Sequence, residues 1–236
     1  MTMIYKSAGI SGGEVTDKDL ALINKYTLEP LTAEDVFVFK ISACDTQIDR
    51  DFECFSEKAL KQMAKLFKGK TIITDHKGTT GNQCARIFDA YVEEVGAEVK
   101  RLIVKAYILA TEENRTLITD IKGGIKKEVS VCVSAKKAVC SICGTDNRIA
   151  YCRHLGGREY DGKLCHFTLD DVTDAYELSF VAVPAQMNAG VTKSYGDKPV
   201  TEAELMKSAD DEKEESVRCS LELCGAFIFS EENKND

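Results

Sequence analysis

The sequence predicts an α+β fold that is mainly β, with strands arranged as a β-barrel and helices around it. Segments rich in β-branched and aromatic residues recur along most of the chain, and such residues favour strands. A few segments instead carry apolar residues at helical spacing. Because strands and helices do not alternate regularly, a doubly wound parallel sheet is not expected.

The individual elements are predicted from hydrophobic period and from signals at their ends. Residues that commonly cap helix N-termini precede three segments of helical period: Thr16, Ser56 and Thr111. Glycines follow the second and third of these segments, at Gly69 and Gly123, as expected at helix C-termini. The predicted strands cover residues 36–41, 71–73, 85–93, 102–108, 128–134 and 175–183.

Composition divides the chain into three regions. Residues 1–30 are predicted to form a peripheral N-terminal arm, and residues 31–195 the folded domain. Between residues 201 and 216 there are seven acidic residues against two lysines. Charge runs of this kind are usually solvated, so residues 196–236 are predicted to form an acidic, flexible C-terminal tail.

The net charge and the hydropathy of the chain argue against nucleic-acid binding, membrane insertion and secretion. The formal net charge of −8 argues against a general nucleic-acid binder, which needs a basic face for phosphates. No apolar run is long enough to span a bilayer, and the N-terminal residues lack an apolar signal core. The protein is therefore expected to remain in the cell that makes it, without a membrane partner.

The ten cysteines include a cluster that predicts a metal site. Cys140 and Cys143 are followed by Cys152 and His154 in one polar stretch, and a C-x2-C turn can place two thiolates on one zinc ion. Cys165 is an alternative to His154 as fourth ligand. A redox C-x-x-C is disfavoured because the βαβ setting is absent. Residues 138–166 are thus predicted to be a zinc-knuckle-like insertion that holds a structural zinc ion.

Four acidic residues after the first predicted strand form a second distinctive stretch: Asp45, Asp49, Asp51 and Glu53. The stretch resembles a calcium-binding loop in composition, but the spacing and the required glycine of such loops are missing. It is therefore predicted to be a solvated loop, in a position to flank a cleft.

His76 and Ser130 are the candidate catalytic residues. A serine hydroxyl needs a base to remove its proton, and the chain has only three histidines, of which His154 and His166 lie among cysteines. Ser130 lies on an apolar predicted strand without a G-x-S-x-G elbow. From the residues alone, a loop histidine and a strand serine bonded to the backbone are simpler interpretations.

Three blocks, in this order, resemble the prohead (capsid maturation) serine proteases of tailed phages. The first block is residues 71–76, TIITDH, with residues 85–87, ARI, after it. The second is residues 124–133, GIKKEVSVCV, which is similar to the family's block around the nucleophilic serine. The third is residues 176–189, YELSFVAVPAQMNA, which resembles the family's last strand. The resemblance covers roughly residues 35–192 and rests on the order and spacing of the blocks.

This resemblance implies a fold like that of the herpesvirus assemblin protease, a β-barrel flanked by helices, and a catalytic triad. Carried onto this chain, Ser130 is the nucleophile and His76 the general base. Glu177 is the third member of the triad, with Asp174 as the alternative. No oxyanion-hole donor can be assigned from the sequence.

The chain departs from the family's pattern two residues after the serine. The family has a glycine at the position of Cys132, and Ser134 is therefore a second candidate nucleophile, behind Ser130. The same departure supports an alternative, namely a catalytically inactive capsid or scaffold component. A second alternative is a zinc-stabilised binding module that uses the cysteine loop.

The resemblance also implies where the enzyme acts and on what. It implies an endopeptidase inside the assembling prohead, in the cytoplasm of the bacterial host. Its substrates would be the phage scaffold protein, the pro-segment of the major capsid protein, and itself. Because herpesvirus relatives are activated by dimerisation, a homodimer is suggested, but the sequence leaves the oligomeric state open.

Overall fold

A computed structural model describes residues 15–96 and 98–192. Residues 1–14 of the predicted arm and the predicted tail at 196–236 lie outside the described residues. The helices are α1 (Asp17–Ile23), α2 (Glu57–Leu66) and α3 (Arg115–Lys122), with a 3-10 turn at Thr80–Asn82. The strands are β1 (Val36–Asp45), β2 (Glu53–Phe55), β3 (Thr71–Thr74), β4 (Ala85–Val95), β5 (Val99–Leu109), β6 (Val129–Cys140), β7 (Glu159–Tyr160), β8 (Lys163–Leu164), β9 (Phe167–Phe180) and β10 (Gly190–Thr192).

Eight of these strands form one sheet, so the predicted α+β, mainly β composition is confirmed. The order is β10-β1-β5-β4-β3-β9-β2, and among the described strands β6 pairs with β9 alone. Long strand β9 therefore has β6 along one edge, with β3 and β2 at the two ends of its other edge. In the described part of the chain, no helix is long and apolar enough to cross a membrane.

Within the residues that the structure describes, the sheet does not close into the predicted barrel. An isolated bridge joins Glu128, the residue before β6, to Gly190 of β10, and no continuous ladder forms there among these residues. The segment before β10 is instead tied to the loop after β1. Arg50 donates from Nη1 to the Pro184 carbonyl at 2.7 Å and from its backbone N–H to the Ala185 carbonyl at 3.2 Å. These bonds tie the segment to the loop after β1, and within the described residues positions 130–137 of β6 pair with β9 alone.

Helix α2 covers the main core. Its N-cap is the predicted Ser56, whose hydroxyl accepts a hydrogen bond from the Ala59 N–H at 3.0 Å. Leu60, Met63 and Phe67 recur at helical spacing and are fully buried against the sheet. The burial of three large apolar side chains on one face explains why this segment is helical and where it packs.

Of the N-caps predicted for the other two helices, one is confirmed and one is wrong. Thr16 caps α1 as predicted, in a reciprocal pair with Asp19, and Ile23 is fully buried in a second apolar cluster. The prediction of a cap at Thr111 is wrong: Thr111 begins a turn in which its carbonyl accepts the Asn114 N–H at 3.2 Å. Helix α3 begins after that turn, with Asn114 as its N-cap.

Candidate active site and cysteine cluster

His76 is positioned by a left-handed turn at the end of β3. Asp75 and His76 have φ angles of 53° and 52°, a region that costs about 1–3 kcal/mol for residues other than glycine. Two hydrogen bonds to β9 hold the turn. The Asp75 N–H donates to the Phe180 carbonyl at 3.0 Å, and the His76 N–H donates to Ser179 Oγ at 2.9 Å. The turn brings the imidazole over one face of β9.

On that face the imidazole meets a carboxylate. His76 Nδ1 and Glu177 Oε1 are 2.7 Å apart, and the Glu177 side chain is only 13% exposed. An ionised carboxylate can only accept a hydrogen bond, so this contact matches the tautomer with its proton on Nδ1 and with Nε2 as an acceptor. The second oxygen of Glu177, Oε2, is buried and has no hydrogen-bond partner among the residues that the structure describes. The pair thus has the arrangement of an oriented general base.

Asp174, the alternative acid, has a different environment. Its side chain is 48% exposed and lies 3.4 Å from Lys70 Nζ. It also accepts the N–H of Ala175, the residue that follows it. The structure therefore brings Glu177 to His76 and leaves Asp174 in a surface ion pair.

Ser130 lies on β6, next to the strand that carries Glu177. Across the β6–β9 ladder, Ser130 is opposite Ser179 and Cys132 is opposite Glu177. Directly opposed residues in antiparallel strands share a face of the sheet. Ser130 is thus on the same face as Glu177 and adjacent to the serine that holds His76. No hydrogen bond joins the Ser130 hydroxyl to the imidazole here, and such catalytic bonds often tighten only around bound substrate.

Two neighbours of Ser130 on β6 have less suitable surroundings for a nucleophile. Burial, and then the charge of Glu177, raise the pKa of the Cys132 thiol, which keeps it protonated at neutral pH. Ser134 shares a hydrogen bond with the Tyr176 hydroxyl at 2.9 Å and is opposite Asp174. The raised thiol pKa makes Cys132 a poorer nucleophile, and the hydroxyl of Ser134 is already bonded to Tyr176.

Ser179 is the residue of this site that sequence reasoning missed. It is fully buried, and its hydroxyl accepts the backbone N–H of His76. Its position on β9 between β3 and β6 gives it contact with both strands of the site. In the sequence, Ser179 is a serine between two apolar residues, in the run LSF at 178–180. The sequence does not indicate that its hydroxyl bonds to the backbone of His76.

The cysteine cluster forms at the other end of β6. The side-chain donor atoms of Cys140, Cys143, Cys152 and His154 all lie within 4.8 Å of one another and could hold a metal ion. Cys140 Sγ and His154 Nδ1 are 3.7 Å apart, which fits ligands about 2.0–2.3 Å from a common tetrahedral zinc ion. Gly144 closes the C-x2-C turn at a φ of 73°, and its N–H donates to the Cys140 carbonyl at 2.9 Å.

The thiols of the cluster differ in acidity, since burial raises the pKa of Cys152 and raises that of Cys165 to about 11. Hydrogen bonds from the Thr145 hydroxyl and backbone lower the pKa of Cys143 to about 6, so a thiolate is available near neutral pH. Cys165 is fully buried with its sulfur 4.0 Å from that of Cys140, so it remains an alternative to His154. His166, in contrast, contacts the Leu164 carbonyl through its ring.

Strand β6 separates the two sites. Ser130 and Cys140 are ten residues apart on it, a separation of about 33 Å at the usual rise of a strand. The cluster joins the end of β6 to the start of β9, and its small hairpin of β7 and β8 lies between them. At that distance a metal ion at the cluster does not reach the His76–Glu177 pair.

Comparisons of this chain with protein-family models, with curated proteins and with solved structures found no match.

Proposed function

We propose that this chain is a serine endopeptidase of the prohead maturation type. The observation that carries the proposal is the hydrogen bond between His76 and Glu177 on the sheet face where β6 presents Ser130. The resemblance of three sequence blocks to prohead proteases supports the substrates. These are the phage scaffold protein, the pro-segment of the major capsid protein and the enzyme itself, inside a prohead in the bacterial cytoplasm. The same resemblance supports an assemblin-like fold and a homodimer.

In the first half of the proposed reaction, Ser130 Oγ attacks the scissile carbonyl carbon. His76 Nε2 takes the hydroxyl proton, and Glu177 stabilises the imidazolium that forms. Among the described residues, His76 is the hydrogen-bond partner of the Glu177 carboxylate, through Oε1. The imidazolium then donates its Nε2 proton to the leaving amine as the C–N bond breaks, which leaves an ester on Ser130.

In the second half, water takes the place of the departed amine. His76 Nε2 removes a proton from the water as its oxygen attacks the ester carbonyl. The returned proton on Nε2 then goes to Ser130 Oγ as the ester bond breaks, and the acid product leaves. The left-handed turn at Asp75 and His76 keeps the imidazole in one orientation through both halves.

The cysteine cluster supports a structural zinc ion in the proposed enzyme. Cys140, Cys143 and Cys152 would hold the ion with either His154 or Cys165, and a complete shell of four protein ligands leaves no position for a catalytic water. The zinc ion supplies a cross-link within a stretch that has few apolar residues of its own. Its role is to fix the end of the β6–β9 pair.

A zinc-stabilised binding module without catalysis is a second candidate function. The observation that favours it is the cluster itself, which needs no active site to be useful. An inactive capsid or scaffold component is a third candidate, favoured by Cys132 where prohead proteases have glycine. Both alternatives predict that no peptide bond is cut.

The test is the intact mass of the protein over time, alone and with its scaffold protein. The wild type is expected to produce fragments, and Glu177→Gln to slow their appearance by about 10⁴-fold because the imidazole loses its orienting charge. Asp174→Asn is the matched control and should cut within a few-fold of the wild-type rate, because Asp174 pairs with Lys70 at the surface. A third sample contains assembled proheads. If the wild type stays intact alone, with the scaffold protein and with assembled proheads, the proposal is contradicted.

A further inference from the structure

One edge of β6 has no partner strand. Within the described residues, positions 130–137 pair with β9 on one side only, and the bridges at Glu128 and Val139 mark the two ends of the free stretch. Unpaired N–H and C=O groups on a strand edge can pair with an extended peptide. Because Ser130 lies on this stretch, a peptide bound there would pass its carbonyl groups alongside the proposed nucleophile.

A cavity of about 310 Å³ opens along the free edge. Its volume is within the range of about 300–1,000 Å³ that is usual for ligand pockets. Residues 129–133 of β6 line one side of it. Asp49 and Asp51 of the loop after β1, and Glu53 at the start of β2, also line the cavity. Asp45, which was predicted to lie in the same solvated loop, is instead buried at the end of β1.

The cavity is negatively charged. Three carboxylates and one guanidinium, that of Arg148, line it, which gives a net charge of −2. None of the three carboxylates has an ion-pair partner in the part of the chain that the structure describes. Burial raises the pKa of Asp49 and of Glu53, so the ionised carboxylates lack solvation that an incoming cation would replace.

The three acids have different roles in the loop. Asp49 Oδ1 accepts the N–H groups of Asp51 and Glu53, both at 2.9 Å, and so fixes the loop's shape. The side chains of Asp51 and Glu53 make no hydrogen bond of their own within the described residues, and remain available for a ligand. Removing their charges should therefore leave the loop's backbone bonds intact.

We propose that the free edge of β6 binds the substrate peptide as an added strand, and that the acidic cavity receives a lysine or arginine side chain of that peptide. Alternate residues of a strand point to opposite faces, so every second side chain of such a peptide would face the cavity while its backbone pairs with β6. The inference rests on the proposed function, since it names the substrate class of the same site. Binding of a peptide at this edge does not require that the peptide is cut.

The test measures binding to the Ser130→Ala protein, which separates recognition from cleavage. The probes are two fluorescent, capped hexapeptide pools that differ at one fixed position, lysine in one and norleucine in the other. We expect the lysine pool to bind at least about tenfold more tightly, as hydrogen bonds to charged groups allow. Adding Asp51→Asn and Glu53→Gln should abolish the difference, and bound peptide should slow amide hydrogen exchange at residues 131–135.

The control removes the same amount of charge elsewhere. Glu93→Gln with Glu94→Gln neutralises two exposed acids on β4 and should leave the tenfold preference unchanged. Equal affinity for the two pools, no binding of either, or no added protection of β6 would overturn the inference. Cleavage by the wild type, scored separately by intact mass, decides the proposed function whatever the binding result.

Discussion

Replacing Ser130 by alanine is expected to lower the rate of peptide cleavage by about 10⁶-fold, because a nucleophile, its base and its acid act as a unit. Ser130 lies on the sheet face that carries Glu177. It is opposite Ser179, whose hydroxyl accepts the backbone N–H of His76. Without the Ser130 hydroxyl no ester intermediate can form, and the oriented imidazole has no proton to remove. The loss is measured as the rate of fragment formation with the scaffold protein as substrate.

Ser134→Ala is the matched control for this prediction. Ser134 lies on the same strand and has a hydroxyl, but that hydroxyl is bonded to Tyr176 and lies opposite Asp174. Its removal should change the cleavage rate by no more than a few-fold. If Ser134→Ala lost cleavage and Ser130→Ala kept it, Ser134 would be the nucleophile and the role given to His76 would be wrong.

Loss of a zinc ligand is expected to unfold the insertion between β6 and β9. Structural zinc sites in small modules have apparent binding free energies of about 10–16 kcal/mol at neutral pH, and most of that is folding free energy. Cys140→Ser should therefore reduce bound zinc from one ion per chain to none, as measured by elemental analysis. Fast amide hydrogen exchange across residues 141–166 should accompany the loss.

The zinc prediction has two controls. Cys132→Ser removes an exposed cysteine outside the cluster and should keep one zinc ion per chain. His154→Ala and Cys165→Ala, compared by zinc affinity, decide which residue is the fourth ligand, since both lie close to Cys140. Full zinc occupancy in Cys140→Ser, or none in the wild type, would contradict a zinc site at this cluster.

The sequence predicted strands well where apolar residues dominate and less well where charged partners stabilise them. The predicted strand at 175–183 overlaps β9 only at residues 175–180, because β9 begins at Phe167, in a stretch rich in aspartate, and ends at Phe180. Those acids are paired with basic residues from other elements. Lys137 of β6 contacts Asp171 at 2.7 Å, and Lys58 of α2 contacts the same carboxylate. Cross-strand ion pairs of this kind depend on the assembled fold, and β-propensity does not record them.

The candidate site was predictable only in part. The residue types and the order of the three sequence blocks predicted His76 and Glu177 as site residues. Their contact was not predictable, because it joins positions 101 residues apart and depends on how β3 and β9 pair. The expected barrel closure depends in the same way on contacts between distant positions: among the described residues, an isolated bridge between Glu128 and Gly190 forms in place of a continuous ladder. The C-x2-C spacing, in contrast, is local, and the cluster forms at the residues that it indicated.

The most direct test of the account is labelling with a fluorophosphonate, which reacts with a serine that is activated by a neighbouring base. We predict one adduct per chain on Ser130, located by mass spectrometry of a digest. Labelling should slow by about 10²–10⁴-fold in His76→Ala, the usual contribution of a general base. An adduct on another residue, no adduct, or an equal rate in His76→Ala would contradict the claim that His76 activates Ser130.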